Sequence, residues 1–273
     1  MKNKQTTYTA VFEFKAVVLF IVLSGFFIAN AIFAEFLGVK IFSVERSLGF
    51  QPLNFSLFGK NGLSFNMAAG VLNWPIVFIM TDIINEYYGR KGVRFLSFLT
   101  ATLIAFGFLI FYIGINLSPA DFWPNSHYAN LPADQAADVK SKVADYNYAF
   151  SLIFGQGMWI IVGSLAAFLL SQLVDVKAFH QIKKSTGEGK LWLRSTGSTL
   201  ISQFIDSFVV LFIAFYLSGK FDFITIIVLA LVAYTYKLIV AILMTPVIYW
   251  VHNFIEKYLG KELAEDMKLN AAS

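Results

Sequence analysis

Asp206 and Lys237 carry the clearest chemical signal in the sequence, because each lies near the middle of a long apolar stretch. An ionisable side chain at the centre of a membrane helix costs roughly 2.5–3.5 kcal/mol by insertion scales, so it faces a partner or a cavity. Gly219 and Lys220 separate the two stretches, and from Lys220 it is 14 residues back to Asp206 and 17 forward to Lys237. On antiparallel helices rising 1.5 Å per residue, the two charges come within about 5 Å of one depth and can pair. Such a pair either fixes helix packing or forms the charged wall of a polar site. As a stabiliser it is weak, since desolvation offsets much of the attraction. Thr199, Ser202 and Gln203 share the helical face of Asp206, which favours a polar site. Ala230, Ala233, Tyr234 and Ala241 share the face of Lys237, where the alanines let helices approach closely.

A second group closes an earlier apolar stretch. Asp82, Asn85 and Glu86 stand at i, i+3 and i+4 and share one face. Two carboxylates one turn apart are costly to ionise together in a low dielectric. Arg90 and Lys91 can balance Glu86 at a solvated helix end, whereas Asp82 is deeper. Upstream, Asn73-Trp74-Pro75 interrupts the same stretch, and proline there frees a carbonyl one turn back, near Val71. Freed backbone inside a bilayer is tolerated only where protein or a watery cavity satisfies it, and broken helices at mid-depth mark transport sites. Asn30 and Gln156, the latter flanked by Gly155 and Gly157, are the other polar groups in apolar surroundings.

The elements that must position these residues follow from composition. Of 273 residues, 58% are hydrophobic and only 14% charged, with 30 Phe and no Cys. An ordinary soluble domain holds about 25% charged residues. The absence of Cys excludes disulfides, iron–sulfur clusters and thiolate metal sites. Six stretches reach the roughly 20 apolar residues needed to cross a bilayer: about 16–37, 63–87, 95–117, 148–174, 198–218 and 223–250. The expected fold is therefore all-α, a polytopic bundle of six transmembrane helices. It comprises an N-terminal segment (1–15), a membrane domain (16–250) with outer loops at 38–62 and 118–147, and a polar C-terminal tail (251–273). With both termini cytoplasmic, 14 of the 21 Lys and Arg fall in inner segments and six in outer ones, with Lys237 inside a span. That bias sets the orientation. Spread over four inner segments, the basic residues make no nucleic-acid patch. Lys2 and Lys4 before an apolar run, with Ala29-Asn30-Ala31 beyond it, give a rival signal-peptide reading of the first span, which is long for one. Ser171–Asp175 echoes Ser202–Asp206, a match of five residues at what the span boundaries make different depths.

The sequence holds no G-x-x-x-x-G-K-[ST] loop and no H-E-x-x-H, and His127, His180 and His252 are scattered, so no enzyme, cofactor or metal site is expected. Four blocks in order point elsewhere: Thr81-Asp82-Ile83-Ile84-Asn85-Glu86-Tyr87-Tyr88-Gly89, Gln172 to Phe179, Arg194 to Ser207, and Tyr236-Lys237. Together they resemble the signatures of the queuosine precursor transporter family, also called the vitamin uptake transporters. The resemblance implies import of 7-cyano-7-deazaguanine or 7-aminomethyl-7-deazaguanine across the bacterial inner membrane, secondary or facilitative, for queuosine salvage. A guanine-like edge offers two adjacent N–H donors and a carbonyl acceptor. Asp206 or Asp82 could take the donors, and Lys237 or Gln203 could serve the carbonyl. Trp74, Trp159 and Tyr234 offer faces for the ring. The candidate substrate site is thus Asp82, Glu86, Gln203, Asp206, Lys237, Asn73, Trp74, Gln156, Trp159 and Tyr234. The partners are a purine-like small molecule and the lipid bilayer, with the oligomeric state open. Two alternatives are a substrate-binding subunit of an energy-coupling-factor importer and a non-transporting membrane scaffold. The first span lacks the Ala-x-x-x-Ala docking motif typical of such subunits.

Overall fold

In a computed structural model, residues 2–187 and 190–272 are described, with side chains from residue 14 to residue 271. The side chains of Lys2 and Lys4, counted above on the inner side, lie outside the described residues. The fold is all-α apart from small hairpins. Among the described residues, five helical stretches are long and apolar enough to cross a membrane: Phe14–Leu37, Trp74–Ile115, Ala133–Thr186, Leu191–Tyr216 and Phe223–Leu259.

Helix α1 (Lys2–Leu37) leads into a segment of short strands: β1 (Ile41–Ser43), β2 (Phe55–Leu57), β3 (Lys60–Leu63) and β4 (Asn66–Ala68), with a helical turn α2 (Val44–Ser47) after β1. β1 pairs antiparallel with β4, and β2 with β3. Helix α3 (Trp74–Ile115) follows a 3-10 turn at Ala69–Leu72. The sequence places the second span from residue 63, with a break at Asn73-Trp74-Pro75. Instead, the helix begins there. Pro75 sits in the first turn, where its missing N–H has no intrahelical acceptor to lose. The apolar residues before it are spent on β3, β4 and the turn.

The second and third expected spans are one helical run, broken only at Gly89, which has φ 68° and ψ −171°. At this break the chain doubles back. In the first arm, Asn73 bonds Asn30, and further on the Tyr88 hydroxyl donates to the Ala16 carbonyl, so this arm runs antiparallel to α1. In the second arm, Phe108 and Phe111 pack on Phe36, at the other end of α1. Only glycine adopts this φ without strain.

Helices α4 (Ala133–Lys142) and α5 (Tyr146–Phe154) precede α6 (Met158–Thr186). α6 and α7 (Leu191–Leu211) form a close antiparallel hairpin, and a π-helical turn extends α7 through Tyr216. α8 (Phe223–Leu259) carries Pro246 within it. Hydropathy ended the fourth span at residue 174, yet α6 continues three turns further because its polar residues are covered by α3 and α7. The supposed polar tail also folds, as α9 (Lys261–Ala272), burying Leu263, Ala264 and Met267 against α3 and α8. Ala271 lies against Gly89, where an added Cβ would stand 2.9 Å from its carbonyl oxygen. At the same end of the bundle, Lys15 donates to the Tyr258 carbonyl at 2.9 Å. The beginning of α1 and the end of the chain thus share one end. At the opposite end, Lys60 in the β2–β3 hairpin pairs with Asp222 before α8 at 2.9 Å.

Candidate functional site

A cavity lies between the first arm of α3, α7 and α8, with about 40 Å³ of free volume, room for a few waters. Its apolar wall comes from Trp74, Phe78 and Ile79 on one side and Val240, Ala241 and Met244 on the other. Its polar groups are Asp82, Thr196, Thr199, Gln203 and Lys237. These converge because the polar stripe of α7 faces inward: Ser195, Ser198 and Ser202 are fully buried on it, while Phe204 is turned out.

Asp82 is 1% exposed. One oxygen accepts from Ser195, and the other, Oδ1, has no protein partner. The Gln203 amide nitrogen is likewise unpartnered. A buried acceptor and a buried donor left open in one cavity are rare in a packed core, and they suit a ligand or water. Asp206 and Lys237 do pair, at 2.5 Å, so the Asp206 carboxylate is already occupied.

The other candidate residues spread away from this cavity. Glu86, one turn beyond Asp82, is fully buried and takes Arg194 at 2.8 Å and Lys183 at 3.2 Å on its Oε1. It closes the end of the bundle near Gly89 rather than lining the cavity. Asn73 donates to Asn30 at 3.2 Å, joining α3 to α1. Gln156 sits in the break between α5 and α6 and donates to the Glu35 carbonyl at 3.3 Å. Trp159 is 48% exposed and faces outward. Tyr234 packs edge-on to Phe204, and Tyr236 takes its place in the cavity wall.

Other polar residues are buried between the helices, and one of them lines the cavity. Thr196 lines the cavity, and its hydroxyl is 3.0 Å from that of Thr245. Asp175 is fully buried and accepts from Ser202 at 3.0 Å, and Thr81 donates to Gln172 at 3.1 Å. The two five-residue echoes therefore meet at one depth, not at different depths: Asp175 of one bonds Ser202 of the other. They come into antiparallel register because α6 continues as a helix past residue 174.

Away from the long helices, Glu45 of α2 accepts from the Phe65 backbone N–H at 2.8 Å and from the Ser43 hydroxyl at 3.0 Å. Desolvation pushes the Glu45 carboxyl up, but these bonds outweigh it and hold it below the usual carboxylate range. Asp222 is also held below the usual carboxylate range, by the Thr225 hydroxyl and by Lys60.

Among known proteins, the chain is similar to a "Probable queuosine precursor transporter" of Bacillus subtilis (strain 168), 31% identical over 153 residues, 54% of this chain and 55% of that one. It is 27% identical over 210 residues to the "Queuosine precursor transporter" of Escherichia coli (strain K12), covering 77% of this chain and 81% of that one. A "Probable queuosine precursor transporter" of Haemophilus influenzae is 25% identical over 159 residues, 58% of this chain and 56% of that one. The chain thus spans about half the length of the Bacillus and Haemophilus relatives. No solved structure matches it. A family model described as "Putative vitamin uptake transporter" matches residues 68–251, the part that contains every residue lining the cavity. The chain is a multi-pass membrane protein and belongs to this family of transporters.

Proposed function

We propose that the chain imports a queuosine precursor, a 7-deazaguanine such as 7-cyano-7-deazaguanine or 7-aminomethyl-7-deazaguanine, across the bacterial inner membrane. The observation that carries this reading is the pairing of an open Asp82 oxygen with an open Gln203 amide in one cavity beside Trp74. In that arrangement Asp82 receives the two adjacent N–H donors of the guanine-like edge, and Gln203 donates to its carbonyl. Trp74 and Phe78 offer one face to the ring, and Val240, Ala241 and Met244 the other. Asp206, engaged with Lys237, gives that wall its charge balance instead of binding the base. The free volume takes water, not a bicyclic base, so entry requires α8 to part from the first arm of α3. The names of the relatives support the substrate class.

Six crossings with both termini cytoplasmic complete this reading. The reversal at Gly89 makes α3 two arms, and the beginning of α1 and the end of the chain share one end of the bundle. The basic residues of the Gly89 turn and of the α6–α7 connection gather at that same end, which the positive-inside bias makes cytoplasmic.

The experiment is queuosine content of tRNA in cells unable to make or import the precursor. These cells express the chain and receive limiting 7-cyano-7-deazaguanine. Restored queuosine in the wild type and its loss in Asp82→Asn is the expected result. No restoration, with the protein shown in the membrane, overturns the proposed substrate.

A further inference from the structure

The cavity has a charged residue at each end. Asp82 marks one end, where it accepts from Ser195 and where the Thr196 and Thr245 hydroxyls meet at 3.0 Å. Lys237 marks the other, paired with Asp206 at 2.5 Å. These contacts fix α7 and α8 in one antiparallel register, residue 196 against 245 and residue 206 against 237. From 196 to 206 the axis of α7 rises about 15 Å. Gln203 stands between the two ends, one turn short of Asp206, and its amide nitrogen has no protein partner. The stretch of α8 that lines the same depth, Val240, Ala241 and Met244, is apolar. Among the residues lining the cavity, Asp82 and Lys237 alone are charged.

The edge of a 7-deazaguanine presents its groups in a matching order. The 2-amino and N1 donors come first, the carbonyl oxygen next, and the substituent on C7 beside that oxygen. With the donors on Asp82 and the carbonyl on Gln203, the substituent is carried past Gln203 to the next polar group along the wall. That group is the Lys237 ammonium. It donates one of its three N–H groups to Asp206, so it can donate another to a ligand.

The two substituents of the proposed substrates differ in what they ask of such a group. A nitrile is neutral, and its nitrogen is an acceptor that suits an ammonium donor. An aminomethyl group is an aliphatic amine, protonated at neutral pH like the side chain of lysine, and then it only donates. Facing Lys237, it meets a like charge in a low dielectric. Asp206 could receive it only by giving up Lys237.

We propose, resting on the deazaguanine reading, that Lys237, held in place by Asp206, is the residue that selects the 7-substituent. It bonds the nitrile of 7-cyano-7-deazaguanine and turns away the ammonium of 7-aminomethyl-7-deazaguanine. Discrimination thus combines an attractive contact with a repulsive one.

The test measures uptake of each labelled compound, separately and at limiting concentration, into proteoliposomes holding the full chain. The ratio of the two rates is the readout, because a purely structural role for the pair would lower both rates and leave their ratio unmoved. The wild type is expected to favour the cyano compound by at least about tenfold, the value of one hydrogen bond to a charged group. Lys237→Arg keeps that preference. Lys237→Met opens Asp206 and reverses the ratio in favour of the aminomethyl compound. Lys237→Met with Asp206→Asn removes both charges, brings the ratio near one, and serves where the single variant does not fold. In a variant that folds without transporting, the ratio of the two dissociation constants, by calorimetry in detergent, replaces the ratio of rates. A wild type that favours the aminomethyl compound, or variants lacking Lys237 that keep the wild-type ratio, overturns the proposal and leaves the deazaguanine reading standing. Uptake of neither compound by the wild type overturns that reading, and the proposal with it.

Discussion

The two acidic residues that sequence spacing offered as equals separate once their partners are known. Asp206 is committed to Lys237, both only slightly exposed, so Asp206→Asn leaves an ammonium without its counter-charge. Breaking a buried pair on one side costs roughly 3–5 kcal/mol, and partial exposure puts this one at the lower end. Replacing both, Asp206→Asn with Lys237→Met, should recover most of the loss in thermal unfolding in detergent. A double variant no more stable than the single one would show that the pair does more than balance charge. Asp82 should behave oppositely. Asp82→Asn removes an open acceptor, so stability holds while affinity for 7-cyano-7-deazaguanine, read by calorimetry, falls at least about tenfold. That is what losing a hydrogen bond to a charged group is worth. The Asp206–Lys237 pair was legible because depth follows from counting residues from a turn. Asp175 was not, because Lys177 beside it looked like a helix end. Hydropathy marks where apolar residues stop, and polar groups covered by neighbouring helices produce the same signal as headgroups.

At the scale of elements, the helices were legible in existence and order, and their ends were not. Loops with alternating apolar residues, such as Phe65 to Val71, read as membrane when they build hairpins and a 3-10 turn. Helix α9 was missed because its apolar stripe is narrow: Leu263, Ala264 and Met267 among charged neighbours. Its docking rests on Gly89. Gly89→Ala puts a Cβ 2.9 Å from the Ala271 carbonyl oxygen at a positive φ, a strain of order 1–3 kcal/mol. Proteolysis after Leu259 should speed up in this variant. In a chain truncated after Gly260, the clash with Ala271 is gone and the substitution should cost only its backbone strain. An equal loss in both chains would remove α9 from the account. At the far end, the pKa of Asp222 is depressed in the fold. Its contribution is therefore present above the ordinary carboxylate range and is lost as pH falls through and below it. The Lys60–Asp222 tie should loosen in acid. Hydrogen exchange in the β2–β3 hairpin should rise in acid in the wild type and be high already at neutral pH in Asp222→Asn.

For the whole molecule, the crossings are a question of parity. Single cysteines at Ser141 and Lys220 should react with a membrane-impermeant maleimide added outside, and those at Arg90, Lys184 and Asn270 only after permeabilisation. Labelling of residue 90 from outside would mean that the arms of α3 do not turn back within the membrane as two crossings. The joint at Gly89 also bears on how the protein is made. The first arm, Trp74 to Tyr88, is shorter than a free-standing membrane helix and carries Asp82, Asn85 and Glu86. Alone it would enter a bilayer poorly, whereas the second arm carries no charged residue beyond Arg94. With one residue between them, neither arm can be threaded and released before the other has left the ribosome. On the topology proposed above, the two enter together as a hairpin, with Arg90, Lys91 and Arg94 held back on the side of synthesis. On that topology the buried acids of the first arm, Asp82 and Glu86, are carried into lipid by their apolar neighbour, before the later helices that enclose them exist.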